Sequence, residues 1–142
     1  MTSQAIDFAQ LLQVMGDAVI VADPNGDIVF WNDAATRIFG FTAADAMGKS
    51  LALITPKRLQ HRHDEGFEKS MATGTTRYGT TLLKVPATHK DGRTLSIAFS
   101  VAMLFDSEHT VTGIAAVIRD ETQRFHDDRE LRKKLAGYEN PA

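Results

Sequence analysis

The chain has 142 residues, the length of a single domain. Its formal net charge of −2 offers no basic surface for nucleic acid or an anionic membrane, and no apolar run reaches the ~20 residues of a membrane span. Because it contains no cysteine, disulfides, iron–sulfur clusters, cysteine nucleophiles, covalently attached haem and thiol-adduct flavin photochemistry are all excluded.

The N-terminal segment is predicted to form a helix. The start of the chain lacks the basic and apolar stretches of a signal peptide, so we expect the protein in the cytoplasm. Phe8, Leu11, Leu12 and Met15 recur at helical spacing, which indicates an amphipathic helix within residues 1–16. Its apolar stripe would serve equally well to pack across its own sheet or to form a dimer surface.

The next segments predict a β-hairpin followed by short helices. Residues 18–22 and 28–31 are apolar runs of strand length, and the sequence between them, 23–26, has the residues of a tight turn. Short helices are predicted at 34–39 and at 42–48, where each pattern stops at a glycine.

A longer helix, three strands and an exit helix complete the prediction. Thr55 followed by Pro56 suits an N-cap and the first turn of a helix that runs to about Met71. Three strands and a charged helix follow at residues 78–85, 94–104, 111–119 and 121–138. This order predicts an α+β domain, in which a five-stranded antiparallel sheet carries short helices on one face and has N- and C-terminal flanking helices.

Sequence blocks spread between residues 17 and 122 resemble the PAS family. The matching blocks are residues 17–26, 31–42, 47–49, 90–93 and 119–122. The resemblance implies a sensor rather than an enzyme, which cups a small ligand between sheet and helices or dimerises without one. It also implies that the signal passes to an effector domain or partner protein not present in this chain. We therefore expect a sensor domain at 17–120, flanked by the helix at 1–16 and a signalling or linker helix at 121–142.

Within that family, the triplet Arg62–Asp64 resembles the haem-binding oxygen sensors of rhizobial kinases, in which the histidine is the axial ligand of the iron. The resemblance implies haem b bound through His63, with a diatomic gas or the redox state as the signal. Helical spacing independently places His63 on one face with Leu59 and Phe67, and His61 on the polar side. Spacing alone leaves open a core histidine bonded to a backbone carbonyl.

The other candidates for the cofactor site come from the sheet and from the loop before it. Those with apolar side chains that would face the helices are Leu83, Ile97, Phe99, Val101 and Ile114. Arg77 is the candidate partner of the haem propionates, ahead of Lys84, and its alternative role is a surface salt bridge. The haem-binding oxygen sensors place an arginine where this sequence has Leu83, so the resemblance implies weaker discrimination of oxygen from CO or NO.

Two other assignments stay open. A flavin could contact Trp31 and Asn32, although Asn32 also suits the cap of the following helix. Alternatively, the cup holds a fatty acid or metabolite, or the domain is a cofactor-free homodimer in which Leu131, Leu135 and Tyr138 of the exit helix contact a second copy.

Overall fold

A five-stranded antiparallel sheet forms the framework of the protein in a computed structural model, which describes residues 5–76 and 80–139. Its strands are β1 (Ala18–Ala22), β2 (Ile28–Trp31), β3 (Leu83–Thr88), β4 (Thr94–Phe105) and β5 (Val111–Asp120). The helices are α1 (Phe8–Val14), α2 (Asp33–Phe39), α3 (Ala43–Ala46), α4 (Lys57–Thr73) and α5 (Thr122–Glu139), with a 3₁₀ turn at Leu51–Leu53. The strand order β2-β1-β5-β4-β3 and these helices confirm the predicted α+β architecture.

The hydrophobic core lies on one face of this sheet, which we call the inner face. Cross-strand pairs such as Phe99 with Ile118 project their side chains to the same side of the sheet. α2, α3 and the 3₁₀ turn cover the part of the inner face where the largest buried residues lie, among them Ile20, Ile28, Trp31, Phe39, Leu95 and Ile118. Within the described residues, no helix is long and apolar enough to cross a membrane.

Asn32 joins the N-terminal segment, β1 and α2. Its side chain is fully buried. Its Oδ1 accepts hydrogen bonds from the backbone N–H groups of Val19 (2.9 Å) and Ala35 (3.0 Å). Its Nδ2 donates to the carbonyls of Leu12 (2.8 Å) and Asp17 (3.1 Å). The predicted cap of α2 is therefore confirmed, and since both donors and both lone pairs of the amide are used, Asn32 has no polar group left for a flavin.

The strand predicted at 78–85 was misplaced. Its first residue, Tyr78, lies outside the described residues, and β3 extends from residue 83 to residue 88. Pro86, interpreted from the sequence as the end of the strand, pairs with Ser96 inside it. Proline is tolerated because β3 is an edge strand, where one side has no neighbour to which the missing N–H would donate.

The start of α4 also differs from the prediction. The helix begins at Lys57, and Pro56 takes the N-cap position without a side-chain hydrogen bond. The hydroxyl of Thr55, predicted to cap the helix, donates instead to the carbonyl of Leu51 at 2.8 Å. Thr55 therefore closes the preceding 3₁₀ turn.

The replacement Asn32→Ala should lower the free energy of unfolding by about 3–5 kcal/mol, because it removes a helix cap and leaves buried backbone groups unpaired. Urea unfolding followed by circular dichroism measures this loss. Ser50→Ala is the matched control, since its hydroxyl caps the 3₁₀ turn at an exposed site, accepting from Ala52 at 2.9 Å. A loss in Asn32→Ala no larger than in this control would contradict the role of Asn32.

Candidate functional site

α4 lies beside the turn that joins β1 to β2 and beside the 3₁₀ turn, and its C-terminal end lies near Phe105 and Val111. None of its residues is fully buried. At its N-terminal end, the Gln60 amide donates to the carbonyls of Ala52 (3.3 Å) and Thr55 (3.1 Å). At its C-terminal end, Gly74 adopts a left-handed φ of +70° beside the ring of Phe105. The helix is thus held at both ends, while the face between them is only half-buried.

The inward face of α4 carries the residues that share one stripe in the sequence. Leu59, His63 and Phe67 are half-buried. The rings of His63 and Phe67 stack with centroids 6.3 Å apart and an interplanar angle of 24°. By contrast, the His61 side chain is 89% exposed and lies 2.9 Å from the Glu65 carboxylate. The structure therefore turns His63, and not His61, toward the β1–β2 turn and the 3₁₀ turn.

A cavity of about 230 Å³ lies between α4, the turn that joins β1 to β2 and the 3₁₀ turn. Its wall on α4 consists of His63, Asp64, Phe67 and Glu68, and Leu51 lines it from the core side. Small-molecule pockets usually have about 300–1,000 Å³. A macrocycle bound at His63 would therefore require α4 to move away from the β1–β2 turn and the 3₁₀ turn.

The His63 imidazole has an unpaired nitrogen. Its Nδ1 is buried and makes no hydrogen bond. The Oδ1 atom of Asp64 lies 3.5 Å away, within reach of a charge interaction but beyond hydrogen-bond distance. A buried polar atom without a hydrogen-bond partner costs free energy, and such atoms are rare in folded proteins. A neutral imidazole is also a common ligand of haem iron, so the donor fits that group chemically.

The sheet candidates divide between the closed core and a half-open region. Ile97 is 6% exposed and belongs to the core. Leu83 pairs with Phe99 across the β3–β4 ladder, and these two residues, Val101 and Ile114 are only half-buried. None of these five is among the described residues that line the His63 cavity. The structure thus brings His63 and Phe67 together but leaves the sheet candidates, and Leu59, outside that cavity.

One sequence prediction in this region has no structural outcome, and one contact was not predicted. The prediction for Arg77 lies outside the described residues. The contact between α4 and the β1–β2 turn was missed, because the turn residues indicated only a hairpin. Gly26 has a left-handed φ of +87°, and a β-carbon at this position would lie 3.5 Å from the Phe67 ring. This turn therefore forms part of the wall of the site.

The exit helix α5 is attached to the opposite, outer face of the sheet. The backbone N–H of Glu121 donates to the carbonyl of Ser96 (2.8 Å), and the N–H of Ser96 donates to the Thr122 hydroxyl (3.0 Å). Asp120 accepts from the Thr122 N–H at 2.9 Å. Ser96 belongs to β4, which also carries the half-buried Phe99 on its inner face.

The sequence of this chain is similar to those of known proteins. Residues 6–120 match a family model described as the PAS fold. An uncharacterised protein of Azorhizobium caulinodans is 34% identical over 127 residues, which cover 87% of this chain and 17% of that protein. The sensor protein FixL of Bradyrhizobium diazoefficiens is 26% identical over 126 residues, which cover 88% of this chain and 25% of FixL. The chain therefore spans a quarter or less of the length of these two relatives.

A solved structure shows the same fold. The PAS domain of a protein from Colwellia psychrerythraea superposes with a TM-score of 0.71 at 19% identity. The superposition covers 82% of this chain and 95% of that domain.

Proposed function

The chain belongs to the PAS family of sensory signalling domains, and we propose that it binds haem b through His63 and reports a diatomic gas or the redox state. The observation that carries this proposal is the position of His63 in the cavity wall on α4, a helix without a fully buried residue. When bound, haem supplies an iron centre that can take up a gas or change its oxidation state. His63 would supply the protein ligand of the iron.

Other residues would hold the plane of the cofactor. Leu59 and Phe67 flank His63 on α4 and offer apolar contact from that side. The residues that would receive the cofactor on the sheet are Leu83, Ile97, Phe99, Val101 and Ile114, and Ile97 has the least free surface. Arg77 keeps its proposed role as the partner of the propionates. We propose no catalytic step, since these residues act by binding and orienting a ligand.

The resemblance of Arg62–Asp64 to the haem-binding oxygen sensors of rhizobial kinases supports the same proposal. The similarity to FixL, named as a sensor protein of Bradyrhizobium diazoefficiens, is consistent with it. With Leu83 in that position, the domain would discriminate less between dioxygen and CO or NO than those sensors do. The reason is that an apolar side chain donates no hydrogen bond to bound oxygen.

We expect purified protein supplied with hemin to show a Soret absorption band, and His63→Ala to bind hemin at least about tenfold more weakly, because the substitution removes the iron ligand. Absorption titration with hemin measures both affinities. His63 makes no hydrogen bond that the substitution would break, so circular dichroism should show an unchanged fold.

His61→Ala is the matched control, because it removes a histidine two residues away on the exposed side of the same helix. It should bind hemin like the unsubstituted protein. A protein that takes up no hemin, or equal affinities of the two variants, would contradict the proposal.

We propose that residues 17–120 form the sensor, with the helix at 1–16 and the signalling helix at 121–142 on either side. Under this proposal, a ligand at His63 shifts β4, and β4 re-aims α5 through the hydrogen bonds at Ser96. The signal then reaches an effector domain or partner protein. The cytoplasmic location stays a prediction.

A second candidate function, a cofactor-free dimerisation module, has support from the flanking helices. Phe8 and Leu11 of α1 are 69% and 48% exposed, so they do not pack across their own sheet. On α5, Leu131, Leu135 and Tyr138 are 57%, 53% and 84% exposed. These three side chains lie on one stripe, and a homodimer would bury them.

The double substitution Leu131→Glu, Leu135→Glu should shift the protein toward monomer in light scattering, because it places charges on that stripe. Arg129→Glu, Lys133→Glu is the matched control on the other side of α5 and should leave the mass unchanged. A mass that is the same in the unsubstituted protein and both variants would rule out this helix as a dimer surface.

A further inference from the structure

The cavity beside α4 is lined by polar side chains that have few partners of their own. These side chains are Asn25, Ser50, His63, Asp64 and Glu68. Within residues 5–76 and 80–139, the side chains of Asn25 and Glu68 make no hydrogen bond and no ion pair. The Asp64 carboxylate lies 3.5 Å from His63 Nδ1, which is beyond hydrogen-bond distance. The cavity wall therefore has unused hydrogen-bonding capacity.

The charge of this wall is negative. Asp64 and Glu68 lie one helical turn apart on α4 and contribute two carboxylates. No lysine or arginine is among the described residues that line the cavity. By contrast, Glu65 lies 2.9 Å from His61 on the exposed side of the same helix. A positively charged ligand therefore complements the cavity, whereas a porphyrin would bring apolar surface against two carboxylates.

The other walls are apolar and leave room for a short carbon chain. The Phe67 ring stacks beside His63, and Leu51 lines the cavity from the core side. A β-carbon at Gly26 would lie 3.5 Å from the Phe67 ring, so the glycine leaves this space free. The face of an aromatic ring also attracts a cation. These walls suit a ligand that carries both a charge and a small apolar part.

We infer that this cavity binds a small primary ammonium ion with a short apolar tail. An ammonium group has three N–H donors, and the available acceptors are the carboxylates of Asp64 and Glu68 and the amide oxygen of Asn25. Leu51 and Phe67 offer contact to the tail. The volume of about 230 Å³ corresponds to about eight waters at ~30 Å³ each, which limits the ligand to roughly that number of non-hydrogen atoms.

This inference goes beyond the proposed function and does not depend on it. An ammonium ion would occupy the cavity as it stands, whereas haem at His63 requires α4 to move. Because both ligands would contact the same wall of α4, they would exclude each other. A metal ion is the alternative cation, but in the part of the chain that the structure describes no three His, Asp or Glu side chains are grouped so that they could hold one.

Isothermal titration calorimetry of the hemin-free chain with n-butylammonium chloride tests the inference. We expect saturable binding, and at least about tenfold weaker binding of n-butanol, which has the same tail without the charge. The double substitution Asp64→Asn, Glu68→Gln should weaken n-butylammonium binding at least about tenfold, because it removes both charges and conserves the size of both side chains. Both residues are exposed, so circular dichroism should show an unchanged fold.

Glu65→Gln is the matched control for Glu68→Gln, because it makes the same chemical change on the same helix outside the cavity. Glu68→Gln alone should weaken n-butylammonium binding about threefold, and Glu65→Gln should leave it unchanged. Equal losses in the two variants would overturn the inference, because the effect would then be one of general charge. The inference also fails if n-butanol binds as tightly as n-butylammonium, or if calcium chloride binds and n-butylammonium does not.

The outcomes also separate this inference from the proposed function. If hemin binds through His63 and n-butylammonium shows no saturable binding, the inference is overturned and the proposed function stands. If n-butylammonium binds and the chain takes up no hemin, the proposed function is overturned and the inference stands.

Discussion

The inner face of the sheet is packed unevenly, and the proposed function depends on this difference. Leu95 and Ile118 are 1% and 4% exposed beneath the short helices. Phe99 and Val101, further along β4, are only half-buried. A fully buried apolar side chain contributes about 1.5–3 kcal/mol to stability, and α4 has none. A ligand can therefore displace α4 at a low cost in packing free energy.

The same strand that carries the half-open surface also positions the exit helix. Phe99 and Val101 point to the inner face of β4, while the backbone of Ser96 exchanges hydrogen bonds with Glu121 and Thr122. A displacement of β4 would alter these bonds, because Ser96 lies within a few residues of Phe99 and Val101. The coupling proposed here between these two side chains and the exit helix therefore needs no path through the core.

The sequence predicted best what local chemistry determines. The Asn32 cap, the hairpin turn at residues 23–26 and the alternation of β4 all follow from short-range rules, and the structure agrees with them. Predictions failed where a residue's role is set by a neighbouring element rather than by its own segment. The Thr55 hydroxyl closes the 3₁₀ turn, and Pro86 is accommodated by the sheet edge.

Tertiary placement limited the prediction of the site. Helical spacing was enough to select the face with His63 and Phe67. It contains no information on where α4 lies relative to the sheet, and the strand pattern assigned Phe99 and Val101 to the same site although they do not line the His63 cavity. Asp64 was interpreted as part of the polar side of the helix. Only the coordinates place its carboxylate 3.5 Å from Nδ1 of His63.

We propose that a ligand enters between α4 and the inner face of the sheet. Backbone hydrogen exchange, measured on the chain with and without hemin, tests it most directly. We expect slower exchange across residues 57–73 when hemin is present. The rates in β1 and β2 should not change, because most side chains of these strands are already buried without a ligand. Exchange in α4 that is the same with and without hemin would contradict it.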